Sequence, residues 1–399
     1  MISECLLYFV SVFLHIASLT GGSLFRLNRD RQELYTNKFL KFKVWLVYIY
    51  WVKYLVFLAV QAIRFQLIQD FNSFNIVFAY FVAFLPPFPF VTVLLFKTER
   101  FATITNMSIE VFVNLTAPGG FFPRAELEED RKRSELFEKF AILSVLGFTG
   151  CGCLVGGHCL IFPRWPIYYL SFIQEDSPLL TFLISYLVHG TVHFVFVVNL
   201  WCFVAFGWVI VGINVLHFLP LLSKTFTFNR RQGRQQMQES NSSMFCLYRT
   251  GNFIPFYRSM EILFLNYMEL FGTLLIPIQM VVSKMILTSS FIIVRFGSRL
   301  DGKTIGILGI WAYFGWTLWT CVLAISGIFY GKAEGAIKSW KYVDWGSREE
   351  NMRMAKFQKS CKPWAVGYRK MYVIRKLTVL KWNRGIARGT FRALLTVTT

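Results

Sequence analysis

The chain has 399 residues, of which 55% are hydrophobic, 18% aromatic and only 16% charged, with a formal net charge of +20. That balance excludes an ordinary soluble domain, and with it the soluble enzymes and nucleic-acid-binding modules that a basic charge would otherwise suggest. The Lys and Arg concentrate between long apolar runs, as in segments held on the cytoplasmic side against anionic lipid.

In chain order, the first apolar run is Cys5 to Thr20. It is short for a span, and Glu4 stands where a secretory signal would be basic. An interfacial or re-entrant helix is the favoured reading, with a cleaved signal or an eighth span as alternatives. Seven runs follow, at about 44–63, 74–96, 137–162, 179–219, 259–294, 305–331 and 373–397. Runs of this length match the roughly 30 Å hydrocarbon slab, and helices are the default because backbone in lipid must satisfy its own hydrogen bonds. The expected fold is therefore all-α and polytopic, with seven transmembrane helices. Its units are an N-terminal helix and basic approach (1–43), four spans (44–219), a cytoplasmic loop (220–258), two spans (259–331), a cytoplasmic segment (332–372) and a last helix (373–397).

Orientation follows from the basic residues in the links. The links 23–43, 97–139, 220–258 and 332–376 carry 31 Lys or Arg, whereas 64–73, 163–180 and 295–304 carry 5. The first set is placed inside and the N-terminus with it. Within link 97–139, Glu126 to Lys139 is a mixed-charge run whose acids and bases fall three and four apart, an internally paired helix leading into the third span. Link 220–258 holds NRRQGRQQMQESNSS, expected to be a flexible loop. Three sugar-acceptor sequons, at Asn106, Asn114 and Asn241, all fall in links placed inside the cell.

Within the spans, Pro86, Pro87 and Pro89 must kink or unwind the second one. Such a break is tolerated where it lines protein or a cavity. The motif CGCLVGGHC (Cys151 to Cys159) reads as small residues easing helix packing, since the closing half of a zinc site is not visible. The eight Cys residues form no disulfide framework. His189 and His193 lie one helical turn apart on the fourth span, a spacing that can hold a metal, but His15, His158 and His217 make no second pair. A polar ligand contact or interhelical hydrogen bond suits them better, and no metal or cofactor is expected. Aromatic residues crowd the outer half. Tyr80, Phe81, Phe194, Trp201, Tyr313 and Trp316 could line an apolar pocket, with His189, His193 and Asn199 orienting a small organic ligand.

The last run is the strangest. Lys381, Arg384, Arg388 and Arg392 recur every three or four residues, so a helix gathers them on one stripe. Such a helix cannot face lipid like an ordinary span. Either the stripe faces water inside the protein, as in a pore or vestibule, or the helix lies along the cytoplasmic surface.

The cytoplasmic start, the basic inner links, the long polar fourth link and the block SCKPWAVGYRKMYVIRKLTVL (Ser360 to Leu380) together resemble the arthropod gustatory and odorant receptor superfamily. Cys361, Pro363 and Tyr372 stand at family-like positions. Tyr372 follows Met371 where gustatory members have Thr, and no Gln-Phe pair comes after it. The resemblance implies a plasma-membrane receptor in which 332–372 belongs to a cytoplasmic anchor. It also implies that the last helices of four subunits, homo- or hetero-meric and with or without a co-receptor, line a cation-conducting pore opened by a ligand. Lys381, Arg384, Arg388 and Arg392 would then face the lumen, and a positive ring there favours anions. The alternatives are a G-protein-coupled receptor, which needs the opposite orientation and lacks Asp-Arg-Tyr and Asn-Pro-x-x-Tyr motifs here, and a transporter relying on Glu269 or Lys284.

Overall fold

The computed structural model describes residues 4–28, 33–116, 124–172, 178–228, 250–300, 302–368 and 371–396. Helix α1 (Glu4–Thr20) is followed by a small hairpin of β1 (Arg26–Asn28) and β2 (Glu33–Tyr35). Then come α2 (Lys38–Leu67), α3 (Phe71–Phe84), α4 (Pro87–Phe96), α5 (Thr98–Thr116) and α6 (Arg124–Ile161). A π-helical turn, Tyr186–Gly190, joins α7 (Leu179–Ser185) to α8 (Thr191–Pro220). The chain ends in α9 (Thr250–Phe296), α10 (Gly302–Ser339), α11 (Arg348–Ser360), a hairpin of β3 (Gly367–Tyr368) and β4 (Tyr372–Val373), and α12 (Lys376–Thr396). The polar loop from Asn229, the sequon at Asn241 and the ion pairing proposed for Glu126 to Lys139 lie outside what is described.

The helices start where side chains satisfy their first backbone donors. Asn37 Oδ1 accepts from the Leu40 N–H at 2.8 Å, Asp70 Oδ1 from Ser73 at 3.2 Å and Ser347 Oγ from Glu350 at 3.1 Å. Once started, α2 divides its sides by helical spacing. Val44, Trp51, Tyr54 and Leu58 are buried, while Leu46, Ile49, Val56, Val60 and Ile63 are exposed. An apolar outer stripe on an apolar helix is what lipid covers. Five stretches are long and apolar enough to cross a membrane: Lys38–Leu67, Phe71–Phe96, Leu179–Gly207, Gly251–Phe296 and Thr304–Tyr342. The third expected span contributes a shorter apolar stretch, Val145–Ile161, and the last carries too much charge to qualify. The chain is an all-α polytopic membrane protein.

Helix α1 packs across the bundle. Phe9, Val10 and Phe13 lie against Val145, Phe148 and Ala205, and Thr20 Oγ1 donates to Asn199 Oδ1 at 2.6 Å. Helix α6 approaches α8 closely: a Cβ on Gly152 would lie 2.9 Å from Trp201 Cβ, and one on Gly156 3.0 Å from Phe194 Cδ2. In the glycine-rich motif, Cys153 is exposed and Cys159 buried, so the two thiols do not converge. Asn106, the one sequon residue with a described side chain, accepts from the Leu34 N–H at 2.7 Å and donates to the Leu34 carbonyl at 3.0 Å.

At the inner end, α9, α10, α11 and the segment after α8 converge on aromatic rings. Trp340 stacks on Phe357 (centroids 5.5 Å apart) and meets Tyr257 edge-on at 4.9 Å, and its indole N–H donates to the Phe226 carbonyl at 2.8 Å. Trp364 stacks with Phe264 at 5.8 Å. From this core the β3–β4 hairpin turns the chain into α12. A Cβ on Gly367 would fall 1.9 Å from the Tyr372 carbonyl oxygen, so only glycine fits there.

Candidate ligand cavity and basic helix

The proline-rich stretch of the second span does break the helix. α3 ends at Phe84 and α4 begins at Pro87. Beside the break is a cavity of about 270 Å³. Its walls come from the break itself (Ala83, Phe84, Pro86, Pro87, Phe90), from Trp201 and Gly207 on α8, from Ile278, Val282 and Met285 on α9, and from Trp311, Phe314, Gly315 and Trp319 on α10. Phe90 reaches the cavity because Gly207 leaves it room: a Cβ there would overlap the Phe90 ring at 2.0 Å. Almost every lining atom is apolar. The indole N–H groups of Trp201 and Trp319 are buried and have no hydrogen-bond partner among the described residues. An unmet buried donor costs about 1–3 kcal/mol.

Of the nine residues expected to bind ligand, Trp201 lines this cavity. Tyr80 is buried beside it, with its ring 6.3 Å from Trp311. Phe81 is half-buried elsewhere on α3, and Phe194 packs over Gly156. Asn199 is occupied by Thr20, accepting from its hydroxyl and donating to its carbonyl at 2.9 Å. Tyr313 is exposed. Trp316 turns away from the cavity, and its indole N–H donates to Asn383 Oδ1 on α12 at 2.8 Å.

The two histidines part company. His189 sits exposed in the π-helical turn, with its ring 6.2 Å from Tyr169. His193 is buried under the outer link, edge-on to Tyr54 at 4.8 Å and to Tyr168 at 5.2 Å. That link is tied down by Tyr54 donating to the Ile167 carbonyl at 3.1 Å, by Gln61 donating to the Pro166 carbonyl at 3.2 Å, and by a 2.7 Å hydrogen bond between Tyr168 and His158 Nδ1. Burial pushes the Tyr169 phenol up to about 12 and Tyr168 higher still, so both stay neutral, Tyr168 as a hydrogen-bonding group and Tyr169 as a ring packed 4.3 Å from Phe57. Among the described residues no three metal-ligating side chains converge. Glu269, the transporter candidate, is paired with Arg100 of α5.

Helix α12 packs along α9 and α10. Its Trp382 donates to Ser283 Oγ of α9 at 2.9 Å, Asn383 takes the bond from Trp316 of α10, and Gly389 lies against Leu287. Tyr372, just ahead of it, donates to Gln279. Lys381, Arg384, Arg388 and Arg392 are all exposed on the side away from α9 and α10. A Lys or Arg at the centre of a lipid-facing helix costs about 2.5–3.5 kcal/mol. Four of them on one stripe therefore demand water or a partner rather than acyl chains.

No family model matches the chain, and no curated protein does. Solved structures do match. The structure of the insect olfactory receptor OR5 from Machilis hrabei in complex with eugenol aligns over 98% of this chain and 99% of that one, with a TM-score of 0.70 at 11% sequence identity. A second structure of the same receptor aligns over 97% of each chain, with a TM-score of 0.67 at 10% identity. At such identity the likeness is one of fold, and a fold alone does not assign an activity. The chain has the fold of an insect olfactory receptor from end to end.

Proposed function

We propose that the chain is a chemosensory receptor of the gustatory and odorant superfamily. In this reading it acts as a ligand-gated ion channel of the plasma membrane, assembled from several copies, with four as the expected number, homo- or hetero-meric. A small, mostly apolar organic molecule occupies the cavity beside the broken second span. The path for ions is lined by the exposed face of α12 from each copy. The eugenol held by the similar olfactory receptor is a molecule of the right kind, an apolar body with few polar groups.

One observation carries the reading: α10 serves both places. Trp311, Phe314, Gly315 and Trp319 wall the cavity on one side of α10, while Trp316 on the other side bonds to Asn383 of α12. A ligand that displaces the cavity wall of α10 therefore moves the helix that holds α12. Because cores repack between discrete arrangements, a small shift there is enough to change the path.

Ligand-evoked current is the test. Cells expressing the chain are recorded during application of small aromatic alcohols, eugenol among them, and compared with cells expressing Gly207→Leu, which drives Phe90 into the cavity. Current in the first and none in the second is expected. Silence of the wild-type chain to the whole panel, or an equal response in both, overturns the proposal.

A further inference from the structure

We propose that Ser360 is a phosphorylation site, and that Arg258 of α9 receives its phosphate. Neither the ligand nor the ion path enters; a kinase requires only the inner placement of 332–376, a link with twelve Lys and Arg.

Ser360 is the exposed last residue of α11, and the chain leaves it in extended backbone at Cys361. Its hydroxyl donates to the Phe357 carbonyl at 2.7 Å and accepts from Arg258 Nη2 at 3.2 Å. The same guanidinium pairs through Nη1 with Glu261 and lies 5.0 Å from the centre of the Phe357 ring, so it is held from two other sides. One arm of this planar fork is thus already aimed at the atom on which a phosphoryl group would be built.

The flanking charge is one-sided. Arg353, Lys356, Lys359 and Lys362 are all exposed, and from Asn351 to Thr399 the sequence has no Asp or Glu. Such a stretch suits a serine kinase with an acid-lined substrate groove and repels one that reads acidic neighbours. In the transfer, Oγ attacks the terminal phosphorus of a nucleoside triphosphate, the bond from that phosphorus to the diphosphate oxygen breaks, and the hydroxyl proton goes to the kinase's base. The last turn of α11 has to open, and helix ends fray at little cost.

The product changes the packing of α11. Loss of the hydroxyl proton breaks the bond to the Phe357 carbonyl, and the new anion faces the negative end of the helix and the Glu261 carboxylate. Against that stand Arg258, Lys359 and Lys362, and charge-assisted bonds are about twice as strong as the neutral ones they replace. The phosphate therefore ties the end of α11 to α9, beside the stack of Trp340 on Phe357.

The purified full chain is incubated with magnesium ATP and the catalytic fragment of a serine kinase that selects Lys and Arg, and phosphopeptides are mapped by mass spectrometry. A synthetic peptide covering 351–364 is treated alongside. Phosphate on Ser360 of the full chain is expected, and the combination of Lys356→Gln with Lys359→Gln should slow its addition about threefold or more. In Ser360→Ala the same segment should stay unmodified. The phosphorylated wild type should melt higher than the unmodified protein, whereas in Arg258→Gln the phosphate should bring no rise. An unmodified Ser360 in the full chain, whether or not the peptide reacts, overturns the site. A melting temperature that stays level or falls on phosphorylation, or an equal rise in Arg258→Gln, overturns the role of Arg258. Ligand-evoked current is read in none of these arms, so failure here is distinct from failure of the proposed channel.

Discussion

The inner and outer ends of α9 and α10 are built on opposite plans. Inside, Tyr257 and Trp340 interlock edge-on, Phe357 and Trp364 stack on their neighbours, and the Trp340 indole N–H is bonded to a carbonyl. Outside, the same two helices part around about 270 Å³ of apolar space, the Trp319 N–H has no partner among the described residues, and the last helix carries four exposed basic side chains. The contrast sets where motion can occur. A helix clamped at one end and loosely packed at the other moves its loosely packed part when a ligand wedges in.

Breaking the inner plan should have the largest effect. Trp340→Ala removes a fully buried indole together with its hydrogen bond, a loss of about 3–5 kcal/mol. The expected outcome is a lower melting temperature of the purified protein and a sharp fall in folded yield. Gly207→Leu attacks the outer plan. It overpacks one wall at a cost of about 1–3 kcal/mol, and ligand binding should disappear while most of the protein still folds. Smaller still is Trp319→Phe. It removes a donor that has no partner among the described residues, so stability should hold or rise slightly.

The smallest effect belongs to the inner loop ahead of α11. There the Asn351 side chain and the Gly346 N–H both donate to Asp344 and hold its carboxyl below the usual range. A folded-state pKa that is depressed stabilises the fold above the unfolded value, near 3.8, and loses that contribution as pH falls through the folded value. Asp344→Asn should therefore lower the neutral-pH melting temperature slightly and flatten its decline below about pH 4, in a thermal denaturation series.

Much of the fold was legible because hydrophobic run length and basic links are local signals. The seven runs became long helices or helix pairs, and Pro86 and Pro87 marked the break that shapes the cavity. The lining was less legible. Ile278, Val282, Met285 and Phe314 are ordinary apolar residues, and nothing in their spacing separates cavity wall from core. Polar residues drew attention instead, and His193 and Asn199 turned out to serve the tyrosine cluster under the outer link and the end of α1. Small residues opposite rings, Gly207 against Phe90 and Gly315 against Met285, were the available clue, but each pairing spans sequence distances that no local pattern connects. The inner aromatic core is a long-range assembly of the same sort, since Phe226, Tyr257, Trp340 and Phe357 come from four separate segments.

The central claim is that α10 couples the cavity to α12, and its most direct test is a pair of concentration curves, one for binding and one for current, in wild-type protein and Trp316→Phe. The substitution deletes the N–H that reaches Asn383 and leaves the cavity wall in place. The expected outcome is an unchanged binding curve with a current that is weaker or needs more ligand. Identical current curves in the two proteins would contradict it.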